Sequence, residues 1–100
     1  MTQRPNIIIK PNRVNDVFDL INKQEGLPKV SVGTVLRLQR KSGSNIFIHE
    51  TSTAPMSNDD GLGIYQRGWQ VETELNAPGV KATVEGATVG ILGVEVVESE

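Results

Sequence analysis

The sequence predicts a mainly β fold: a small antiparallel β-sandwich or jelly-roll-like barrel with one short helix. Three observations carry this. Ten glycines and five prolines divide the 100 residues into pieces of strand length. Between these breakers apolar and polar residues alternate with a period of two, as in Val80-Lys81-Ala82-Thr83-Val84. Only one segment carries the 3.6-residue period of a helix, and it is short.

Taken in order, Asn6 to Lys10 reads as a first strand, because three consecutive isoleucines favour extended backbone. Pro5 and Pro11 bound it and suit an edge position. Asn15 to Lys23 is the helical piece, with Val14, Val17, Phe18 and Ile21 on one side. Asn15 is placed to cap it, Asp16 to occupy the first turn, and Gly26 with Pro28 to end it. At about two turns it needs the sheet beneath it. Gly33 to Arg40 and Asn45 to Glu50 read as an antiparallel hairpin joined by Lys41-Ser42-Gly43-Ser44. Leu36, Leu38, Ile46 and Ile48 would face the core, and Arg37, Gln39, Phe47 and His49 would share the other face. Thr51 to Gly63 is poor in apolar periodicity and reads as a long loop. Strands are expected at Leu62 to Tyr65, Trp69 to Thr73, Val80 to Val84 and within Thr88 to Glu98. In the last, Leu92, Val94 and Val96 share a face, and Gly86, Gly90 and Gly93 mark turns or bulges.

The length allows one compact domain, here 13–98, preceded by an arm and first strand over 1–12 and followed by a tail, 99–100. Mean hydropathy of -0.23 and the lack of an apolar run of spanning length predict no membrane partner. The opening Met1-Thr2-Gln3-Arg4-Pro5 lacks the apolar run of a signal peptide, and the lack of cysteine fits a reducing cytoplasm as the expected place of synthesis. There is no cysteine, so disulfides and thiolate metal sites are excluded. A net charge of -2 argues against a nucleic-acid partner.

Side-chain chemistry for a reaction is sparse. His49 and Glu50 are adjacent on a strand and point to opposite faces, so they cannot easily cooperate. Asn58-Asp59-Asp60-Gly61 resembles part of a calcium loop, but Met56 and Arg67 stand where that pattern needs acids. Gly61-Leu62-Gly63 lacks the third glycine of a dinucleotide loop, and no Gly-x-Ser-x-Gly elbow occurs. Arg37, Arg40, Lys41, Arg67 and Trp69 could line a basic patch, though the chain has only four aromatic residues. The expectation is a non-enzyme with no cofactor and no metal. Phe47 among Arg37, Gln39 and His49 suggests either a second covered layer or a contact face for another protein.

The stretch Gly33-Thr34-Val35-Leu36-Arg37-Leu38-Gln39-Arg40, a polar turn, Asn45-Ile46-Phe47-Ile48-His49-Glu50, the Ala54-Pro55 loop and Arg67-Gly68-Trp69 resembles small bacteriophage virion accessory proteins. Asp19-Leu20-Ile21 resembles the Asp-Leu segment that precedes the hairpin in such proteins. The resemblance implies a β-sandwich that decorates or cements a capsid or serves in head–tail attachment. Its partners would be capsid or other virion proteins and further copies of itself, its location the virion. The residues nominated for partner contact are Phe47, Arg37 and His49 on the hairpin, Ile8 on the N-terminal arm, and Pro55, Met56, Asp59 and Asp60 in the long loop. The arm itself could add a strand to a neighbour. The alternative is a carbohydrate- or ligand-binding sandwich module of a tail or enzyme, with Tyr65 and Trp69 stacking on sugar rings near Asn58, Asp59 and Asp60.

Overall fold

The computed structural model describes residues 2–53, 62–64 and 70–97. The order is β1 (Thr2–Ile9), β2 (Asn15–Asp16), α1 (Val17–Asn22), β3 (Leu36–Gly43), β4 (Ile46–His49), β5 (Leu62–Ile64), β6 (Gln70–Glu72), β7 (Lys81–Val84) and β8 (Gly90–Val96). These strands form two four-stranded antiparallel sheets, in the orders β1-β8-β3-β6 and β2-β7-β4-β5. The fold is a small β-sandwich. Period-two alternation sends Ile7, Ile9, Leu36, Leu38, Leu92 and Val94 inward from the first sheet. Ile46, Ile48, Ala82 and Val84 meet them from the second. Val17, Phe18 and Ile21 of α1 complete the same core.

The expected hairpin between β3 and β4 does not form. β3 pairs with β8 and β6, whereas β4 pairs with β7 and β5, in the other sheet. The reason lies in the connection. Both β3→β4 and β7→β8 cross between sheets, and the two crossings run side by side. The Ser44 N–H donates to the Val89 carbonyl at 3.1 Å, and the Glu85 N–H donates to the Asn45 carbonyl at 3.0 Å. The Ser44 hydroxyl also donates to the Thr88 carbonyl at 2.9 Å, and Asn45 Nδ2 donates to the Glu85 carboxylate at 2.9 Å. Each crossing thus satisfies backbone groups that the other would leave unpaired. β3–β4 and β7–β8 form one antiparallel ribbon bent through both sheets, with Gly43 opposite Gly90 at the bend. Gly43 has φ +81°, and a Cβ there would run into the Val89 carbonyl oxygen. A Cβ at Gly90 would lie 2.8 Å from the buried Ile46 side chain.

The N-terminal segment is docked within the chain. β1 runs from Thr2, passing Pro5 with a bulge between Arg4 and Ile7, and pairs with β8 along its length. Proline is tolerated because β1 is an edge strand. That edge is covered: Gln24 donates to the Pro5 carbonyl at 2.9 Å. The buried Arg4 guanidinium donates to the carbonyls of Ile21, at 3.4 Å, and Pro28. A cation against the last turn of α1 is favoured by the helix dipole. Lys29 donates to the Asn22 carbonyl at 2.6 Å in the same region.

The helix starts one residue later than the sequence predicts. Asn15 pairs as a strand residue with Ala82, and its side chain is committed to Lys10, Arg13 and Ala82. Asp16 is therefore the N-cap and accepts the Asp19 N–H at 3.2 Å. Burial pushes the Asp16 carboxyl up. The Lys81 ammonium at 2.6 Å, with the Asp19 and Phe18 N–H groups, outweighs that and holds it below its ordinary value of 3.8.

Two expectations follow for stability. Gly43→Ala combines left-handed strain with a backbone collision, and should cost at least about 2 kcal/mol in urea unfolding. Gly26→Ala is the control: φ is +78°, but nothing lies within 4 Å of its Cβ, so only about 1 kcal/mol is expected. A carboxyl whose folded pKa lies below the unfolded value stabilises above the unfolded pKa and loses that contribution as pH falls through the folded one. The thermal midpoint should therefore fall on acidification below about pH 4, and fall less steeply in Asp16→Asn, which keeps a cap acceptor without the charge.

Candidate functional site

The bent ribbon decides where the nominated residues lie. Because β3 and β4 belong to different sheets, Arg37 and Gln39 face outward from the first sheet while Phe47 and His49 face outward from the second. The four do not share a face, in correction of the hairpin reading. Phe47 and His49 are each only 4% exposed, and Thr83 beside them is fully buried. His49 Nε2 lies 2.9 Å from the Thr83 hydroxyl. Both side chains are thus buried within the chain itself. Arg37 is half-buried and paired with Glu72 at 3.3 Å, an exposed pair of small energetic weight. Ile8 is 52% exposed on the outer face of β1. Pro55, Met56, Asp59 and Asp60 lie outside the described residues, as do Asn58, Tyr65 and Trp69. Among the described residues no three His, Asp or Glu side chains gather where they could hold a metal ion.

Two other places are built by the fold. The first is a polar hollow of about 140 Å³ on the outer face of the first sheet, floored by Gly93 of the inner strand β8. The cross-strand rows place Gln3, Glu95, Arg37 and Glu72 in one line and Gly93, Gln39 and Gln70 in the next. Both neighbours of β8 bulge near Gly93, β1 directly opposite it between Arg4 and Ile7, and β3 further along between Arg40 and Ser42, where β8 runs from Leu92 to Ile91. Bulges re-aim side chains. Here Asn6 and Lys41 turn toward the glycine: its missing Cβ would lie 3.5 Å from Asn6 Oδ1 and 2.6 Å from Lys41 Cε. Gly93 is thus not itself a turn or bulge, as the sequence suggested, but the floor between two bulges.

The second is an apolar tip at one end of the sandwich. Residues 31–34 and 74–77 each form a turn, closed by Thr34 N–H to the Ser31 carbonyl at 3.2 Å and Ala77 N–H to the Glu74 carbonyl at 3.3 Å. Gly33 (φ +100°) and Asn76 (φ +63°) supply the left-handed position each turn needs. The turns are latched together by Asn76 N–H to the Gly33 carbonyl at 2.7 Å. The residues before them, Val32 and Leu75, are left 58% and 64% exposed. With Val35 and Val97 they line a groove of about 350 Å³.

Sequence reasoning missed both places. For the hollow, the available signal was a glycine inside an alternating valine-rich run, which marks close approach as often as a bend. For the tip, a large aliphatic residue before Gly33 and before Asn76 was the only trace. Comparison of the chain with protein-family models, with curated proteins and with solved structures finds no match to any of them.

Proposed function

We propose that this chain is a non-enzymatic structural protein of a phage virion, decorating or stabilising the capsid through protein–protein contacts. The observation that carries this reading is the apolar tip. Two large aliphatic side chains are exposed side by side on turns that are hydrogen-bonded to each other. Water gains nothing from such a surface, and burying it against another protein removes apolar area at about 25 cal/mol per Å². Because the turns are already fixed, little ordering entropy is lost on docking. The polar rim of Ser31, Thr34 and Asn76 matches the apolar-centre, polar-border arrangement of protein interfaces. A single tip of this size binds weakly. Repetition on a symmetric lattice would multiply its effect, which suits an accessory protein attached at many equivalent positions.

The test is light scattering of the purified chain across a concentration range, followed by co-sedimentation with capsids of the phage that encodes it. The expected result is a defined multimer or capsid binding. The double variant Val32→Asp, Leu75→Asp should lose it while keeping its unfolding midpoint within about 1 kcal/mol, since both side chains are at the surface. A chain that stays monomeric and leaves the capsid pellet empty would refute the reading.

A further inference from the structure

We propose that the hollow over Gly93 is a binding site for a single saccharide ring. It is independent of the apolar tip.

The case starts with the floor. β8 is an inner strand, and glycine in that position weakens a sheet because it packs nothing. The group that approaches the backbone here is the Lys41 side chain, whose Cε lies 2.6 Å from where a Gly93 Cβ would stand, so the hollow opens beside Lys41. Here β1 bulges directly opposite Gly93, while β3 pairs with Gly93 regularly through Gln39 and bulges further along, where β8 runs from Leu92 to Ile91. A glycine with a bulge opposite it and a second bulge close by forms a hollow that a regular sheet would not have.

The walls indicate the chemistry. Four carboxamides, Gln3, Asn6, Gln39 and Gln70, surround the floor, with Arg37, Lys41 and Glu95. A carboxamide offers a donor and an acceptor side by side, which matches neighbouring hydroxyls on a ring. Arg37 and Lys41 add donors, and Glu95 adds an acceptor. A ligand that needed strong charge neutralisation would call for cations alone. A planar base would call for an aromatic wall, and among the described residues the lining has none. Polyhydroxylated rings are the class that uses many neutral donors and acceptors at once. At about 140 Å³ the hollow is smaller than the roughly 300–1,000 Å³ of drug-sized pockets, so it takes one ring. Affinity for a single ring in so open a site should be near about 1 mM.

The experiment is a titration of the ¹⁵N-labelled full chain with glucose, galactose, N-acetylglucosamine and glucuronic acid, followed by NMR. Glucose is run beside maltotetraose, so that a free ring and a glycan chain are compared directly. The expected result is a saturable shift of the Asn6, Gln39 and Gln70 side-chain NH₂ signals and the Gly93 amide with at least one sugar. Gly93→Val should weaken binding at least about tenfold by pushing the Lys41 side chain off the glycine and into the hollow. The group it meets is the far end of Lys41, which can swing aside, so the fold should survive. Gln70 is exposed at the surface, and Gln70→Ala gives a second variant that weakens binding with no effect on folding. The proposal is overturned by the absence of shifts with every sugar at about 50 mM, fiftyfold above the expected constant. Shifts confined to residues away from the hollow, or both variants binding as the parent does, overturn it equally. Shifts that track protein concentration instead of sugar would mark the face as a contact between copies and overturn it too.

Discussion

The bend at Gly43 and Gly90 is the constraint on which the rest of the molecule depends. A chain that leaves one sheet for the other must break its ladder, and each break strands backbone groups that cost about 1–3 kcal/mol if buried unpaired. Two crossings placed side by side remove that cost. Ser44 and Asn45 bond to the 85–89 connection, so the ladder continues around the corner. Glycine is needed on both strands because the inner radius of the bend is occupied, by the Val89 carbonyl on one side and the Ile46 side chain on the other. Once the ribbon is bent, the inward alternation of β3, β4, β7 and β8 closes one core between two sheets.

The same bend divides the outer surface. It puts the outward residues of β3 and β4 on opposite sides of the molecule. One outer face, with Phe47, His49 and Thr83, is buried and joined by a histidine–threonine hydrogen bond. The other carries charged and amide groups arranged around a glycine. Among the described residues the exposed large aliphatic side chains are Ile8 of the edge strand and Val32, Leu75 and Val89 in the connections.

How much of this was legible in the sequence depends on whether the information is local. Alternation identifies the inward residues of β3, β4, β7 and β8, because a period of two is a property of each strand alone. It could not distinguish a hairpin from a corner. Leu36, Leu38, Ile46 and Ile48 face the core in either arrangement, and the choice is made by contacts with residues 85–89, some forty positions away. The helix boundary moved by one residue for a similar reason: Asn15 is drawn into a strand by Ala82, a partner invisible to local pattern. Pro5 reads as a strand limit, yet β1 continues through it, because Gln24 bonds to the Pro5 carbonyl from α1's end and Arg4 reaches from β1 to the Ile21 carbonyl. The hollow over Gly93 was illegible for the strongest version of the same reason. Its walls come from four strands, with bulges on two of them, and no bulge is encoded by the residues it displaces.

Arg4 shows how these parts are coupled. Its backbone belongs to β1 of the first sheet, opposite Val94. Its guanidinium crosses to the end of α1 and to the Pro28 carbonyl, so one side chain fixes β1, the helix and the following loop. That loop leads directly into the 31–34 turn, half of the apolar tip. The bulge just after Arg4 is also what turns Asn6 toward Gly93. A buried arginine is expensive unless its charge is met, and here the carbonyl oxygens of Ile21, in the last turn of α1, and of Pro28 in the loop accept from it, with no carboxylate paired to it among the described residues. The cost is sustained because one residue positions both surface features at once. Placing the cation on an edge strand further protects an edge that would otherwise be open to pairing with another chain. The N-terminal segment therefore acts as an internal tie, paired to β8 and anchored through Arg4 to α1 and the loop that follows it.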